Sequence, residues 1–188
     1  EETIEDAVLA IELLKNIEGI DAGKVFIVGH SFGASVGPRI VLECGDLQPA
    51  GLIMMAGASG NLADLIPEQL EYLANLDGAV DEDELAEINE AKAAAEKIRS
   101  GELNSGETAF GAPKSYWDDL VAYNQVETAK QLDLPIFVMQ GERDYQVTAA
   151  ELERWEQALL GKPNVTIKTY PDLNHLFMSG SGMSSPDE

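Results

Sequence analysis

The feature that most constrains this chain is the stretch 25–33, in which an apolar run ends in the pattern Gly-x-Ser-x-Gly. A short β-branched run predicts a buried strand, and the small residues and helical pattern that follow predict a helix. A strand that turns sharply into a helix exposes the residue at its apex, here Ser31, above the sheet. We expect glycine at 29 and 33 because a side chain at either position would collide with the turn or the helix. The alternative is a glycine-rich turn without chemistry.

Composition limits the class of protein. With 188 residues, the chain is long enough for one domain with a sizeable core. It has 12 Lys and Arg against 34 Asp and Glu, a formal net charge of −22, which argues against nucleic acid and anionic membranes as partners. No apolar run could span a bilayer and no signal segment opens the sequence, so a complete chain is expected to be soluble and cytoplasmic. A single cysteine, Cys44, excludes an internal disulfide and is expected to be a small core residue.

Strands and helices alternate along the sequence. Strands are predicted at 24–29, 51–56, 134–140 and 165–170, and helices at 3–17, 32–44 and 148–160. This alternation predicts a parallel sheet with right-handed crossovers and a site at the carboxyl ends of the strands. Thr148 and Glu151 have the spacing of a capping box at the start of the last helix.

A segment of about seventy residues, 61–130, separates the second and third predicted strands and has the pattern of helix only. Asp81 and Glu84 predict a capping box within it. We favour a lid over the site, because the segment leaves from a strand end where the site is expected. The alternative is a solvated helical appendage. The Ser- and Gly-rich tail, 179–188, is predicted to fray.

Ser31 needs a base to take its proton, and a base needs an acid to orient it. His175 lies just past the fourth predicted strand, where a loop can carry its imidazole over the sheet; the alternative is an ordinary surface histidine. His30 is adjacent to the serine and is predicted to pack or to line the substrate pocket.

The acid is predicted at the end of the third strand. Asp144 is preferred there, because its reach past the turn suits contact with a histidine on the next loop. Glu142 is expected to pair with Arg143, and Asp172 is expected to serve a local turn. The chain order Ser, Asp, His is that of the α/β-hydrolases.

Three motifs carry a resemblance to a known family: Gly29-His-Ser-Phe-Gly33, Gly141-Glu-Arg-Asp144 and Asn174-His-Leu-Phe177. Together they resemble the α/β-hydrolase fold, in particular the bacterial esterase branch near dienelactone hydrolases and prolyl-oligopeptidase-like enzymes. The stretch 115–120 resembles the segment that returns from the cap in that branch. The resemblance covers nearly the whole chain and implies a Ser31–His175–Asp144 triad that acts through an acyl-enzyme.

Three further residues are candidates for the site around this triad. The backbone N–H of Phe32, at the start of a helix, points to where an oxyanion would form. Tyr116 and Trp117 are candidates for the wall of the substrate pocket, and a core cluster within the cap is the alternative for both. No metal or organic cofactor is expected, because the two histidines do not have a ligand spacing.

The predicted fold is therefore α/β, a parallel sheet of the α/β-hydrolase type with four recognisable strands and a helical cap insertion. Residues 1–60 and 131–188 form a partial core, and 61–130 form the cap or lid. The predicted function is a serine hydrolase that cleaves small-molecule carboxylic esters. The alternatives are a peptidase or thioesterase with the same triad, or a catalytically weak half-domain that acts as an assembly unit.

The chain departs from the family in one respect, because it begins at the helix before the nucleophile strand. The resemblance implies that the preceding half of the sheet supplies a second oxyanion N–H, and losing one donor typically costs about 100–1000-fold in turnover. The first strand is then expected to be an exposed sheet edge. We expect a fragment, a homodimer paired through that edge, or a chain that another chain completes.

Overall fold

The computed structural model describes residues 2–188. The strands are, in chain order, β1 (Phe26–His30), β2 (Gly51–Met55), β3 (Thr108–Ala109), β4 (Ala112–Pro113), β5 (Ile136–Gly141) and β6 (Val165–Tyr170). The α-helices are α1 (Glu2–Asn16), α2 (Phe32–Glu43), α3 (Leu62–Ala74), α4 (Glu82–Ser100), α5 (Lys114–Ala122), α6 (Gln125–Lys130) and α7 (Ala149–Leu159). Short 3-10 turns occupy Ala22–Lys24 and Gly45–Leu47.

The main sheet contains the four strands expected from the sequence, all parallel, in the spatial order β1-β2-β5-β6. Each connection between them includes at least one helix, which is the usual route between parallel neighbours. The predicted fold class, a parallel sheet of the α/β-hydrolase type, is confirmed.

Helices cover one face of this sheet. Leu52 and Ile136 are in register on that face and are buried. They pack with α2 and α7, whose Trp155 is almost fully enclosed. The opposite face has less cover: β1 forms one edge of the sheet, and its Phe26 and Val28 are 54% and 61% exposed. The expected exposed edge is therefore present in the described residues.

A second apolar cluster joins α1 to α2. Ile4 and Ile11 of α1 pack with Val36 and Ile40 of α2 and with Cys44. The cysteine is buried, as expected from its place on an apolar stretch, and burial raises the pKa of its thiol. The thiol is thus part of the core.

The sequence pattern predicted only helices in the insertion, and this is wrong, because the insertion also contains two short strands. β3 and β4 form a small antiparallel ribbon. Its turn is Phe110-Gly111, with φ angles of 48° and 75°, the positive values that a tight two-residue hairpin requires. The capping box predicted for Asp81 and Glu84 is confirmed at the start of α4. Trp117 of α5 is buried in a cluster with residues of α3 and α4.

The last helix of the insertion packs differently from the others. α6 lies against α2 and α7, and its Ala129 belongs to the core beneath the sheet. α3, α4 and α5 pack mainly on one another. The self-contained portion of the insertion therefore ends before α6.

The capping box predicted for α7 is wrong. The side chain of Thr148 makes no capping hydrogen bond. Glu151 is buried instead, and its Oε2 accepts hydrogen bonds from Ser59 N at 2.6 Å, Ser59 Oγ at 2.7 Å and Gly60 N at 2.8 Å. The loop after β2 offers three donors to this carboxylate, and this tertiary contact outweighs a local cap worth about 1 kcal/mol.

The tail was predicted to fray, and this too is wrong. Ser184 is buried, its hydroxyl donates to the carbonyl of Arg143, and its own carbonyl accepts a 2.9 Å hydrogen bond from Tyr72. Arg143 also pairs with Glu188 and holds the pKa of that carboxyl below its usual value. The polar tail is thus held to the loop after β5. Within residues 2–188, no helix has both the length and the apolar character needed to cross a membrane.

An ion pair between Arg39 of α2 and Asp119 of α5 ties the insertion to the core, with 2.8 Å between Nη1 and Oδ2. Arg39 lowers the pKa of the Asp119 carboxyl. A lowered folded-state pKa stabilises the protein above the unfolded pKa of about 3.9, and this stabilisation is lost as pH falls through the folded value. We expect Asp119→Asn to destabilise the protein at neutral pH and to cost progressively less below about pH 4.

Urea unfolding of the wild type and Asp119→Asn between pH 3 and pH 7 measures this difference. In an Arg39→Gln background, the effect of Asp119→Asn should no longer vary with pH. A difference between wild type and Asp119→Asn that stayed constant over the whole range would contradict the assignment.

Candidate active site

Ser31 lies at the sharp turn between β1 and α2. Its φ and ψ are 55° and −121°, a strained conformation for a residue with a side chain. The turn is fixed on both sides: Ser31 N donates to the carbonyl of Met55 at 2.9 Å, and Ser31 O accepts from Ala34 N at 3.0 Å. The strand–turn–helix context that the Gly-x-Ser-x-Gly pattern requires is therefore present.

The two glycines of this pattern differ in their surroundings. A Cβ on Gly29 would lie 2.3 Å from the carbonyl oxygen of Gly33, so the close approach of strand and helix needs glycine at 29. A Cβ on Gly33 would meet no atom within 4 Å. The expectation that Gly33 avoids a collision is wrong, because its missing side chain points into open space.

The first turn of α2 offers a donor beside Ser31. Phe32 N has no hydrogen-bond partner among residues 2–188, as is usual for the first N–H groups of a helix. The ring of Phe32 is 6.4 Å from that of Tyr116, measured between centroids. Tyr116 is 37% exposed, and burial of the rest raises the pKa of its hydroxyl.

Asp144 is held from several directions on the loop after β5. Its Oδ1 accepts from Gln146 N at 2.8 Å and from Val147 N at 2.9 Å. Its Oδ2 accepts from Gln140 Nε2 at 3.0 Å and contacts His175 Nδ1 at 2.8 Å. Both Asp144 and His175 are buried. A carboxylate with this many hydrogen-bond donors is fixed in position.

The competing acids lie elsewhere. Glu142 and Asp172 are exposed, and neither contacts His175. The expected pair of Glu142 with Arg143 does not form, because Arg143 turns to Glu188 and to backbone carbonyls of the tail.

The loop that carries His175 is held by Asn174. Its Oδ1 accepts from Leu176 N and Met178 N, both at 3.0 Å, and its buried side chain stiffens the turn. The loop lies directly on the end of β5, where Arg143 N donates to the carbonyl of Leu173 at 3.0 Å.

Gly141 makes this close approach possible. A Cβ there would lie 2.3 Å from Leu173 O and 2.8 Å from Asn174 O. We expect Gly141→Ala to push the His175 loop away from Asp144, at a cost of about 1–3 kcal/mol in unfolding free energy. Thermal unfolding measures the cost, and the ring-nitrogen spectrum of His175 reports loss of the Asp144 contact. An unchanged spectrum in a folded Gly141→Ala variant would contradict this.

The remaining predicted site residues occupy different places. His30 contacts the His175 loop: its Nε2 is 2.7 Å from the carbonyl oxygen of His175. Trp117 is enclosed in the cluster of the insertion and donates from Nε1 to the carbonyl of Ala109 at 2.9 Å. This placement favours the core-cluster alternative for Trp117, whereas Tyr116 faces Phe32 at the start of α2.

A cavity of about 400 Å³ opens next to the turn, lined by Phe32, Val36, Tyr116 and Leu120 among others. Two larger cavities, of about 650 and 720 Å³, lie against α3 and α4 and touch none of Ser31, Asp144 and His175. The smaller cavity is not lined by Ser31, Asp144 or His175 either, but it alone of the three includes Phe32, which follows Ser31 directly in the chain.

Sequence reasoning missed Gln140, which is buried and donates both to Asp144 and, at 2.8 Å, to the carbonyl of Val147. The available signal was a polar residue in an otherwise apolar strand, at the end where the site was expected. In residues 2–188, no group of three or more His, Cys, Asp and Glu side chains is arranged to hold a metal ion.

Comparisons with known proteins agree with this fold. Residues 1–180 match the family model described as "Hydrolase_4: Serine aminopeptidase, S33". The chain is 37% identical over 187 residues to Esterase EstD of Thermotoga maritima. Among solved structures, it is similar to Est1E from Butyrivibrio proteoclasticus, with a TM-score of 0.59 at 14% identity over 93% of this chain. It is also similar to the Pyrococcus furiosus esterase PF2001, with a TM-score of 0.60 at 16% identity over 94% of this chain.

These relatives are longer than the chain. The match to EstD spans the whole of this chain but 43% of EstD. The structural matches span 61% of Est1E and 55% of PF2001. At identities this low the two solved structures bear on the fold alone. The narrower likeness to dienelactone hydrolases and prolyl-oligopeptidase-like enzymes is not confirmed by these matches and stays a prediction.

Proposed function

Because this chain belongs to the α/β-hydrolase family described as serine aminopeptidase, S33, we propose that it is a serine hydrolase that cleaves carboxylic esters with Ser31, His175 and Asp144. The observation that carries the proposal is the buried contact of 2.8 Å between His175 Nδ1 and Asp144 Oδ2, at the end of the sheet where Ser31 also lies.

The chemistry follows from the hydrogen-bonding roles. An ionised carboxylate only accepts, so Asp144 fixes the proton of His175 on Nδ1 and leaves the lone pair of Nε2 free. That lone pair takes the proton of Ser31 as its Oγ attacks the ester carbonyl. The N–H of Phe32 donates to the oxyanion. His175 then returns the proton to the leaving alcohol, and water, activated in the same way, releases the acid and restores Ser31.

The choice of ester over amide or thioester rests on the relatives. EstD is named as an esterase, whereas the family description names an aminopeptidase. A panel of p-nitrophenyl acyl esters, acyl thioesters and aminoacyl p-nitroanilides separates the three classes. The proposal expects the largest kcat/KM with the oxygen esters, and a preference for the anilides would overturn it.

The same assay tests the three residues. Ser31→Ala and Asp144→Asn should each lower kcat/KM by about 10⁴-fold, because the first removes the nucleophile and the second permits the wrong tautomer of His175. Asp172→Asn is the matched control: this aspartate is also close to His175 in sequence, yet exposed and without contact to it. Equal losses in Asp172→Asn and Asp144→Asn would contradict the assignment of the acid.

We also propose that 61–130 is a cap over this site and that 1–60 with 131–188 forms the core. Support comes from the packing of α3, α4 and α5 on one another and from two contacts of α5 with α2, Tyr116 with Phe32 and Asp119 with Arg39. Because α6 packs on the core, motion of the cap is expected to hinge before 125.

The exposed edge strand β1 favours the alternative function, an assembly unit. Parallel sheets are normally covered on both faces, yet the edge strand β1 leaves Phe26 and Val28 exposed in this chain. We propose that a second copy or a completing chain covers this edge. Size-exclusion chromatography with light scattering should give a dimer or larger assembly, and Val28→Lys should reduce it. A monomer at all concentrations would overturn self-pairing.

A further inference from the structure

His30 touches the segment that carries His175, although 145 residues separate the two in sequence. Its Nε2 lies 2.7 Å from the backbone carbonyl oxygen of His175, and the centroids of the two imidazole rings are 4.8 Å apart. The ring of Phe177, on the same loop, meets His30 edge-on at 6.4 Å. His30 is also the last residue of β1, immediately before Ser31.

The position of this contact in the sheet matters. β1 and β6 form the two edges of the four-stranded sheet, and the His175 loop follows β6. Arg143 N and Asp144, on the segment that follows the neighbouring strand β5, hold this loop from that side. The bond from His30 comes from the far edge, so it draws the loop across the carboxyl ends of the sheet towards the strand that carries Ser31.

We propose that His30 is a positioning residue, which donates from Nε2 to the carbonyl of His175 and thereby holds the imidazole of His175 between Asp144 and Ser31. This inference rests on the proposed function. Asp144 fixes one end of the ring, and Arg143 N fixes the loop relative to β5. The bond from His30 fixes the backbone of His175 relative to β1, the strand that leads into Ser31. Misplacement of a reacting group by a fraction of an ångström is enough to slow catalysis.

The contact dictates opposite tautomers for the two histidines. A backbone carbonyl only accepts, so neutral His30 carries its proton on Nε2. The carboxylate of Asp144 also only accepts, so neutral His175 carries its proton on Nδ1. A histidine that merely packs in the site, without a directed bond, exchanges between both tautomers, with the Nε2–H form the more populated, whereas the bond to the carbonyl keeps His30 in that form alone.

This chain suits a direct test, because it has only two histidines. Histidine-selective ¹⁵N labelling gives two imidazoles, and His30→Gln leaves one and so assigns both. At alkaline pH, where an ordinary imidazole is neutral, we expect the Nε2–H form for His30 and the Nδ1–H form for His175. An Nδ1–H form of His30, or an average of both tautomers, would overturn the proposal whatever the activity.

Kinetics test the consequence. His30→Leu keeps an apolar side chain and loses the donor, and we expect kcat with a p-nitrophenyl ester to fall about tenfold with little change in KM, the effect of one lost hydrogen bond. His30→Gln places an amide N–H where Nε2 was and should recover most of that loss. Thermal unfolding of both variants establishes that they are folded.

The outcomes distinguish failure of the role of His30 from failure of the proposed esterase function. If the wild type hydrolyses the ester and His30→Leu matches it, the role of His30 is wrong and the proposed function stands. If His30→Gln is as slow as His30→Leu, the donor is not what matters, and the positioning role is again wrong. An inert wild type overturns the proposed function and the role of His30 together.

Discussion

Gly29→Ala is expected to lower the free energy of unfolding by about 3 kcal/mol or more, which is a large part of the stability of an ordinary domain. The added methyl group would lie 2.3 Å from the carbonyl oxygen of Gly33 and 2.7 Å from Ala34 N, both of them backbone atoms that cannot rotate away. Strand β1 and helix α2 must then separate, which opens the core around Ala34. Urea unfolding followed by tryptophan fluorescence measures the loss.

Gly33→Ala is the matched control within the same motif. Its methyl group would enter open space, and Gly33 does not have a positive φ. Alanine favours a helix over glycine by up to about 1 kcal/mol, so this variant should be neutral or slightly more stable. Equal losses in Gly29→Ala and Gly33→Ala would contradict the packing of this turn.

Glu151→Ala is expected to cost about 3–5 kcal/mol, although Glu151 belongs to none of the catalytic groups. Its buried carboxylate accepts three hydrogen bonds from Ser59 and Gly60, and Arg154 pairs with it from the surface. Truncation leaves those donors enclosed without an acceptor. Trp155, one turn further along α7, holds the same loop by donating to Gly57 O at 2.8 Å. Chemical denaturation gives the cost directly.

Glu153→Ala controls for the change of residue type and charge, because Glu153 is exposed on the same helix. It should alter stability by less than about 0.5 kcal/mol. Glu151→Gln retains one acceptor oxygen and should fall between the wild type and Glu151→Ala. A Glu151→Ala variant as stable as Glu153→Ala would show that the carboxylate does not hold the loop.

The fold was predictable from local patterns. Apolar runs that ended in glycine gave three strands of the main sheet to within about two residues, because buried parallel strands have a continuous apolar pattern. The β-branched run that ends before Pro171 gave the fourth. The order of the motifs placed Ser31, Asp144 and His175 after three different strands. Parallel topology then brings the carboxyl ends of those strands to the same end of the sheet.

What the sequence did not reveal depends on contacts between distant segments. Glu151 has the spacing of a helix cap, and only the loop after β2 shows that it serves Ser59 instead. Arg143 was expected to pair with its neighbour Glu142, whereas its partner Glu188 is 45 residues away. His30 reads as a neighbour of the nucleophile, and its bond to the carbonyl of His175 follows from how two loops cross the sheet. No hydrophobic period and no local motif in the sequence indicates any of these three long-range contacts.

The central claim is that Ser31 is an activated nucleophile in this chain. The most direct test is intact-mass analysis after reaction with a serine-directed fluorophosphonate, on the wild type and on Ser31→Ala. The account predicts one adduct on the wild type, which forms more slowly in Asp144→Asn and is absent from Ser31→Ala. A folded wild type that gains no adduct, or an adduct that persists in Ser31→Ala, would contradict it.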